Sequence, residues 1–430
     1  MNQLQNRSFV STDAIVPDAS QRRTADIRKK ALQEEFRELA GVIGPVPLLD
    51  LLFERSFQLN ATDIHVDPNE QGVRIRLRVD GILHDVVQLP PALAAHMTNR
   101  VKLLGGGNIT ERRVAQDGRI SVQHQGRPRD IRVASGPTVY GERLVLRLMP
   151  DSQTFLHLDQ LGFEPDQVSL MRDYLGLPYG AVLSVGPVGS GKSTTMYSCL
   201  EILNDPGKSL VTIEDPVERR VAGVNQVQVD ARIGFNFVEA LRGVLRQDPN
   251  VMMIGEIRDP ETAHIGMRAA RTGTLVLSTM HSNDAASAVD MLRDFNISSL
   301  FIADGLQGVI SQRLMRRICP ACRVSYHPDE RECKVLGFDP AAANTLELSR
   351  GKGCQNCFQT GYAGRVGVFE ILRPNDEIRE AIVLGASRSQ LMQMARKNGM
   401  RTLQESAIQK VRNGLTSVDE LDRVLRSWVA

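Results

Sequence analysis

The sequence predicts an α/β protein built around a parallel sheet that carries a phosphate-binding loop. Four apolar runs between residues 155 and 310 are typical of buried strands, and each ends at a residue able to take part in chemistry. The first run leads into residues 186–193, GPVGSGKS, which fit the pattern G-x-x-x-x-G-K-[ST], and a helix-compatible segment follows. We expect an α+β module before this domain, and a cysteine-rich region and a small helical domain after it.

The totals limit the class of protein. With 430 residues, 42% of them hydrophobic, the chain is large and apolar enough for roughly two to four globular domains, which excludes disorder and fibre. Its 52 basic and 50 acidic residues leave a formal net charge of +2, so nucleic-acid binding would need a local patch. No apolar run approaches the roughly 18 to 20 residues of a membrane span, and the first residues lack an apolar signal core. We therefore expect a cytoplasmic protein without a membrane span.

Residues 1–45 are expected to form a flexible lead and an amphipathic helix. The beginning is polar and aperiodic, whereas apolar residues recur at helical spacing from Ile27 to Leu39 and end at Gly41. Basic residues flank this helix. It could dock a partner or a membrane surface, but a packing helix with a solvated basic face is the favoured interpretation.

Residues 46–150 are predicted to form an α+β module. A helix is expected over 48–59. Apolar and basic residues alternate over 73–79, which predicts a half-buried strand, and Asp80-Gly81 predicts a hairpin turn after it. Further strands are predicted over 131–134 and 144–148.

The polar side of this module is rich in arginine. From Arg100 to Arg147, ten Lys or Arg residues stand against four acidic ones. One expected partner is the phosphates of the nucleotide site, in this chain or a neighbouring one, because guanidinium groups suit phosphate oxygens. Nucleic acid is a second candidate. The alternative is an exposed sheet face kept soluble by its charge.

The loop in the domain 155–310 is predicted to bind a nucleoside triphosphate. Its glycines can take positive φ, so that backbone N–H groups close around the phosphates. Lys192 supplies a charge near the transferred phosphate, and Ser193 supplies a hydroxyl for Mg²⁺. The candidate nucleotide-binding residues are Gly186, Pro187, Val188, Gly189, Ser190, Gly191, Lys192, Ser193 and Thr194.

The ends of the other three strands supply candidate catalytic residues. Parallel strands place their carboxyl ends at one edge of a sheet, so Glu214, Glu256 and His281 are expected to lie near the loop. We favour Glu214 as the residue that polarises the attacking water and Glu256 as a residue near Mg²⁺, although the spacing does not separate the two roles. His281 is expected to sense the γ-phosphate, the alternative being a structural histidine.

Four cysteines predict a structural zinc site in the region 311–365. They form two C-x-x-C pairs with 31 residues between them, a signature of tetrahedral Cys₄ coordination, and redox chemistry is the weaker alternative. The predicted ligands are Cys319, Cys322, Cys354 and Cys357. The unpaired Cys199 and Cys333 are predicted to be a buried helix residue and a loop residue. The segment 366–430 is predicted to be a small helical domain.

Together these motifs resemble the secretion ATPase family, specifically the assembly ATPases of type II secretion systems and type IV pili. The resemblance covers nearly all of the chain from about residue 45. Residues 212–218 look like the family's aspartate box, 246–259 like its Walker B element and 278–283 like its histidine box. The upstream matches are Asp63-Ile64-His65, Arg78-Val79-Asp80-Gly81, Glu111-Arg112-Arg113 and Gln116-Asp117-Gly118-Arg119.

The resemblance implies a homohexamer whose subunits carry a RecA-like ATPase domain behind a PAS-like N-terminal module. Each nucleotide would lie between these two parts, and Arg112, Arg113 and Arg119 would reach its phosphates. ATP-driven motion would pass to an inner-membrane platform protein that adds pilin or pseudopilin subunits. A cytoplasmic or membrane docking protein would hold the ATPase peripherally at the inner membrane. The cysteine insert resembles the assembly branch rather than the retraction motors.

Two positions depart from the family pattern. Thr274 stands where a histidine is usual, and Asn250 stands where an aspartate is common, which would remove one acid near the Walker B element. They give some support to a rival interpretation, a nucleotide-gated scaffold with little turnover. A nucleic-acid translocase ranks last, because the chain has few aromatic residues to stack bases.

Overall fold

The computed structural model describes residues 29–40, 42–150, 156–339 and 343–429. They divide into two compact units, the first made of residues up to Asp117 with Ala134–Leu146, the second of Gly118–Val133 with the residues from Arg147 onwards. The predicted flexible lead and the start of the amphipathic helix lie outside the described residues. None of the helices in the described part of the chain combines the length and apolar character that crossing a bilayer requires.

The described residues up to Leu148 form the α+β part of the chain that was predicted, and most of β4 and the first part of β5 belong to the second unit. Helix α1 is Lys29–Ala40, α2 is Pro45–Gln58 and α3 is Pro91–Leu104. The strands are β1 (Asp63–Asn69), β2 (Gly72–Val79), β3 (Ile82–Leu89), β4 (Gln116–His124), β5 (Arg127–Thr138) and β6 (Gly141–Leu148), and the sheet order is β3-β2-β1-β6-β5-β4.

The predicted hairpin joins β2 and β3. Asp80 and Gly81 both have positive φ, 49° and 83°, as a tight two-residue hairpin turn requires. Val73, Ile75 and Leu77 alternate on the buried face of β2. Strand β1 was not predicted, because its pattern is interrupted by Asp63, His65 and Asp67, which the fold buries or half-buries beside arginine side chains.

The second unit is an α/β domain with helical additions. Its strands are β7 (Gly180–Val185), β8 (Leu210–Glu214), β9 (Asn225–Gln228), β10 (Val251–Ile254), β11 (Leu275–Met280), β12 (Leu306–Ile318), β13 (Arg323–Tyr326), β14 (Leu348–Gly351) and β15 (Tyr362–Leu372). Its helices are α4 (Leu158–Leu161), α5 (Pro165–Leu175), α6 (Lys192–Leu203), α7 (Phe237–Val244), α8 (Pro260–Arg271), α9 (Ser287–Asp294), α10 (Ser299–Gly305), α11 (Glu330–Val335), α12 (Asp376–Val383), α13 (Arg388–Lys397), α14 (Leu403–Arg412) and α15 (Val418–Val429).

Seven strands form the central sheet in the order β15-β12-β7-β11-β10-β8-β9. The pairs from β12 to β9 are parallel, and β15 runs antiparallel to β12. The four predicted strands β7, β8, β10 and β11 are therefore neighbours, and every residue in them is buried. Their register sets Leu275 beside Gly180 and Val251 beside both Leu275 and Leu210, so their carboxyl ends share one edge.

Two expectations about the region after residue 310 were wrong. The segment 366–372 is not helical, because it forms the buried part of β15 and pairs with β12 in the central sheet. The sheet of the nucleotide domain therefore extends beyond residue 310. A short continuous apolar run fits a buried strand as well as a helix, and the sequence pattern does not separate them. Cys333 is also not a loop residue, since it is buried in α11, which Asp329 caps.

Candidate functional site

The phosphate loop connects β7 to α6 at the shared edge of the sheet. Gly186, Gly189 and Gly191 have φ values of 150°, 78° and 93°, which glycine adopts without strain. A Cβ atom on Gly186 would lie 2.6 Å from the carbonyl oxygen of Gln312, so this position also needs glycine for space. The loop is thus held in a curved conformation by its own sequence and by contact with β12.

Two residues of the loop present donors that a phosphate could engage. The Lys192 ammonium donates to the carbonyl oxygens of Gly186 at 2.7 Å and Pro187 at 3.0 Å. Burial lowers the pKa of Lys192 to about 8, despite the nearby charge of Glu256. The Ser190 hydroxyl is buried and has no hydrogen-bond partner in the described part of the chain. Val188 marks the loop tip, where it is 81% exposed.

Glu256 and His281 lie together beside this loop. The Nε2 atom of His281 is 3.7 Å from an Oε atom of Glu256, and Arg258 donates to the other carboxylate oxygen. Burial and the charges of Lys192 and Arg258 lower the pKa of His281, while Glu256 acts in the opposite direction. The lowered pKa favours the neutral form of His281, which can act as a hydrogen-bond donor or acceptor.

Glu214 occupies the end of β8 but is enclosed. Only 3% of the residue is exposed. One carboxylate oxygen accepts hydrogen bonds from the hydroxyl of Thr212 at 2.6 Å and the amide of Gln226 at 3.2 Å, and the other accepts from the hydroxyl of Tyr197. Of the two candidate glutamates, Glu256 is the more open, with 18% of its side chain exposed and one oxygen bonded to Arg258, whereas both oxygens of Glu214 have buried hydrogen-bond partners.

Glu218 is a site residue that the sequence argument did not single out. Its carboxyl shares a hydrogen bond with the side chain of Ser193, the first hydroxyl residue after Lys192. Although Glu218 is open to solvent on one side, desolvation by the surrounding protein raises its pKa, and the Ser193 contact opposes that shift. The sequence signal that could have identified Glu218 is its position in residues 212–218, the segment that resembles the family's aspartate box.

The three arginines that the family resemblance assigns to the nucleotide phosphates have acidic partners within their own units. Arg113 pairs with Glu111 at 2.8 Å, and Arg112 lies 4.0 Å from Glu142. In the second unit, Arg119 pairs with Asp130 at 2.5 Å. Their contact with nucleotide phosphates stays a prediction.

Both departures from the family pattern lie away from the phosphate loop. Asn250 directly precedes β10, where its side-chain oxygen accepts a hydrogen bond from the backbone of Ser209 at 2.8 Å. Thr274 directly precedes β11, and its carbonyl accepts from the backbone of Gly180. Both therefore stand at the amino edge of the parallel strands, opposite to the candidate site. An acid at position 250 would therefore lie at the edge opposite Glu256, and the effect of Asn250 on the Walker B element stays a prediction.

The four predicted zinc ligands come together. The sulfur atoms of Cys319, Cys322, Cys354 and Cys357 all lie within 4.8 Å of one another, and three of the separations are 3.7, 3.9 and 3.9 Å. Tetrahedral zinc with bonds of about 2.3 Å places its sulfur ligands about 3.8 Å apart. The cluster fits zinc in size and in ligand chemistry, and its four ligands leave no open coordination position.

The chain is similar in sequence to known proteins over most of its length. Residues 41–423 match the family described as type II/IV secretion system protein. The chain is 42% identical over 381 residues to the type II secretion system protein E of Pseudomonas aeruginosa, covering 89% of this chain and 75% of that protein. It is also 42% identical over 370 residues to the type IV pilus assembly ATPase PilB of Thermus thermophilus, where it covers 86% of this chain but 42% of that protein.

A solved structure shares the fold. The crystal structure of the pilus retraction motor PilT with bound ADP aligns with a TM-score of 0.58 at 25% identity, covering 86% of this chain and 95% of that chain. Both sequence alignments cover most of this chain. This chain, however, spans less than half the length of the Thermus protein.

Proposed function

We propose that this chain, which belongs to the type II/IV secretion system protein family, is an ATPase that powers assembly of type IV pili or of a type II secretion pseudopilus. The observation that carries the proposal is the common edge of β7, β8, β10 and β11. There the phosphate loop, Glu256 and His281 lie within reach of one another, and the charge of Lys192 acts on both.

Each side chain has a distinct part in ATP hydrolysis. The Lys192 ammonium leaves the two loop carbonyls and binds the phosphates, while the Ser190 hydroxyl and the loop N–H groups supply further donors. His281 contacts the γ-phosphate as a neutral imidazole. Little covalent chemistry is asked of the protein, so fixed charges and donors supply most of the rate enhancement.

Mg²⁺ fits the oxygen donors around Ser193. Hydroxyl and carboxylate oxygens are its preferred ligands, and Ser193 with Glu256 or Glu218 would hold it. When bound, the ion neutralises charge on the phosphates. Between Glu214 and Glu256, Glu256 is the better candidate to face water and metal. Glu214 can bind water only if one of its oxygens is released from its hydrogen-bond partners.

The remaining assignments rest on the family. The chain assembles as a homohexamer in the cytoplasm, with Arg112, Arg113 and Arg119 of the N-terminal module acting on the nucleotide phosphates. It docks at the inner membrane through a platform protein and a docking protein. Zinc is structural in Cys319, Cys322, Cys354 and Cys357, since the site is closed. The scaffold rival loses its support, because Thr274 and Asn250 stand at the edge opposite the loop.

The test is steady-state ATP hydrolysis by the full chain with zinc retained. We expect turnover by the parent and its loss in Lys192→Ala and Glu256→Gln, together with a clear reduction in Glu214→Gln. Arg242→Ala is the matched control, because this exposed arginine contacts Glu239 and Glu261 on the surface. A parent that binds ATP but does not turn over, even with membrane partners added, would replace the ATPase by the scaffold.

A further inference from the structure

Three buried polar side chains lie between the phosphate loop and the C-terminal helices. Gln312 and Arg313 on β12 and Glu370 on β15, the β12–β15 trio, are 1%, 7% and 2% exposed. The two strands are antiparallel neighbours, and Ser311 stands opposite Glu370. Arg313 and Glu370 therefore share one face of the sheet, with Gln312 on the other. Burying such groups is costly unless their hydrogen bonds are satisfied, so their partners indicate what they do.

Gln312 joins the phosphate loop to β7. Its side-chain oxygen accepts a hydrogen bond from the hydroxyl of Ser184 at 2.9 Å, and its amide nitrogen donates to the carbonyl of Ser190 at 2.9 Å. A Cβ atom on Gly191 would lie 3.1 Å from that nitrogen. The Gln312 amide therefore fixes the position of the loop backbone at Ser190 and Gly191.

Arg313 joins the same strand to the segment after His281. Its guanidinium donates to the carbonyl of Asn283 at 2.7 Å and to the carbonyl of Gln312 at 3.0 Å. Burial lowers the pKa of Arg313, and the charges of Glu370 and Asp284 oppose this. A planar guanidinium can hold two carbonyls in fixed directions, which a single ammonium cannot do.

Glu370 binds both the histidine segment and a C-terminal helix. One carboxylate oxygen accepts from the backbone N–H of Ala285 at 2.9 Å, and the other accepts from the backbone N–H of Leu403 at 3.3 Å. Leu403 is the first residue of α14, where a backbone donor has no partner within the helix and negative charge is favoured. One side chain thus connects the segment after His281 to the start of α14.

We propose that Gln312, Arg313 and Glu370 are positioning residues that couple the phosphate and histidine loops to α14, so that nucleotide occupancy is transmitted to the C-terminal helices. The route is continuous: the loop carbonyl of Ser190, the trio, the backbone of Asn283 and Ala285, and the first turn of α14. The expected effect of this coupling on kcat rests on the proposed ATPase function. Its expected effect on the structure of α14 requires only that ATP binds.

The test combines hydrogen exchange with kinetics on the full chain. Exchange in 403–412 is measured with and without a non-hydrolysable ATP analogue for the parent, Arg313→Lys and Glu370→Gln. Arg313→Lys keeps the positive charge but loses the planar guanidinium that holds two carbonyls. Glu370→Gln replaces one carboxylate oxygen, an acceptor, by an amide group that donates. Arg396→Lys is the matched control, because this exposed arginine of α13 pairs with Glu405 and contacts none of the trio in the described structure.

In the parent and in Arg396→Lys, we expect the analogue to slow exchange in 403–412 severalfold. Both trio variants should lose this response and show kcat about tenfold lower, with KM changed less than about threefold. A parent whose 403–412 exchange ignores the bound analogue, or trio variants that match Arg396→Lys in both measurements, would overturn the coupling. If the parent shows the exchange response but no hydrolysis, the proposed ATPase function fails and the coupling stands.

Discussion

Lys192 is a buried cation whose charged form the surroundings disfavour before nucleotide arrives. Its pKa is lowered to about 8, from an ordinary value near 10.5, chiefly by burial. Phosphate oxygens favour the charged form, so above pH 8 ATP binding must be accompanied by uptake of a proton. Affinity should therefore be flat below pH 8 and fall by up to about tenfold per pH unit above it.

Calorimetric titration with a non-hydrolysable ATP analogue between pH 7 and 9.5, in buffers of different ionisation enthalpy, measures both effects. Lys192→Arg is the control, because a guanidinium stays protonated over this range and its profile should be flat. A parent profile as flat as that of the arginine variant would show that Lys192 is already charged in the free protein.

Tyr197 is a second residue whose contribution can be isolated. Its hydroxyl donates to the buried carboxylate of Glu214 and accepts from the backbone N–H of Arg219 at 3.2 Å. Tyr197→Phe removes both bonds at once in a buried site, which should lower the free energy of unfolding by about 1–3 kcal/mol. Urea unfolding measures the loss, and Tyr140→Phe, whose exposed hydroxyl meets Glu70, should cost much less. Equal losses would contradict the buried network.

At the scale of elements, the cysteine cluster holds together two distant stretches of chain. Cys319 and Cys322 follow β12, while Cys354 and Cys357 precede β15, so one zinc ion would fasten the ends of these paired strands. We expect one zinc ion per chain, its loss in Cys354→Ser, and faster hydrogen exchange across 319–362 in that variant. Elemental analysis and exchange measure these effects. Cys333→Ala is the control, since Cys333 lies in α11 outside the cluster, and zinc lost there as well would remove the assignment.

Helix α15 is anchored by a buried carboxylate. Glu420 is fully buried and accepts hydrogen bonds from the backbone and guanidinium of Arg316 and from the guanidinium of Arg423. Glu420→Ala leaves Arg316 with an unpaired buried charge, so it should lower the free energy of unfolding by about 3–5 kcal/mol. Glu261→Ala, which removes an exposed partner of Arg242, should cost less than about 1 kcal/mol.

The pH dependence of this anchor has a definite sign. Burial alone would raise the pKa of Glu420, but hydrogen bonds from Arg423 and Arg316 hold it below its ordinary value. Its stabilisation is therefore present above the unfolded pKa and is lost as pH falls through the folded one. Denaturation at pH 7 and in acid should show that the difference in free energy of unfolding between the parent and Glu420→Ala becomes smaller as pH falls. A difference that stays constant with pH would contradict the assignment.

At the scale of the whole molecule, the proposed hexamer makes turnover depend on assembly. If Arg112, Arg113 and Arg119 complete the nucleotide site within a ring, activity per chain should rise with protein concentration in step with the mass in solution. Arg119→Ala should lower turnover at full assembly by at least about tenfold, and by no more than about 10⁵-fold, the largest effect of an arginine that stabilises phosphoryl transfer. Mass photometry beside an ATPase assay measures both, and Arg242→Ala is the control. Full activity of a monomeric species would reject the ring.

The sequence by itself determined where the candidate chemical groups of the second unit lie along the chain. The phosphate loop, the strands that end in Glu214, Glu256 and His281, and the four cysteines were predicted because each depends on a short pattern with its own physical meaning. The parallel order of the strands then brought their tips to one edge. The hairpin at Asp80-Gly81 was equally local.

Only the tertiary structure decided which distant side chains meet at that edge. Gln312 contacts Ser190 across 122 residues, and Glu370 contacts Ala285 across 85, distances over which periodicity carries no information. It also decided that 366–372 is a strand, because burial on both faces erases the alternation that distinguishes strand from helix. Asn250 came to lie at the edge opposite Glu256 for a topological reason: the two flank the same strand, whose ends point in opposite directions.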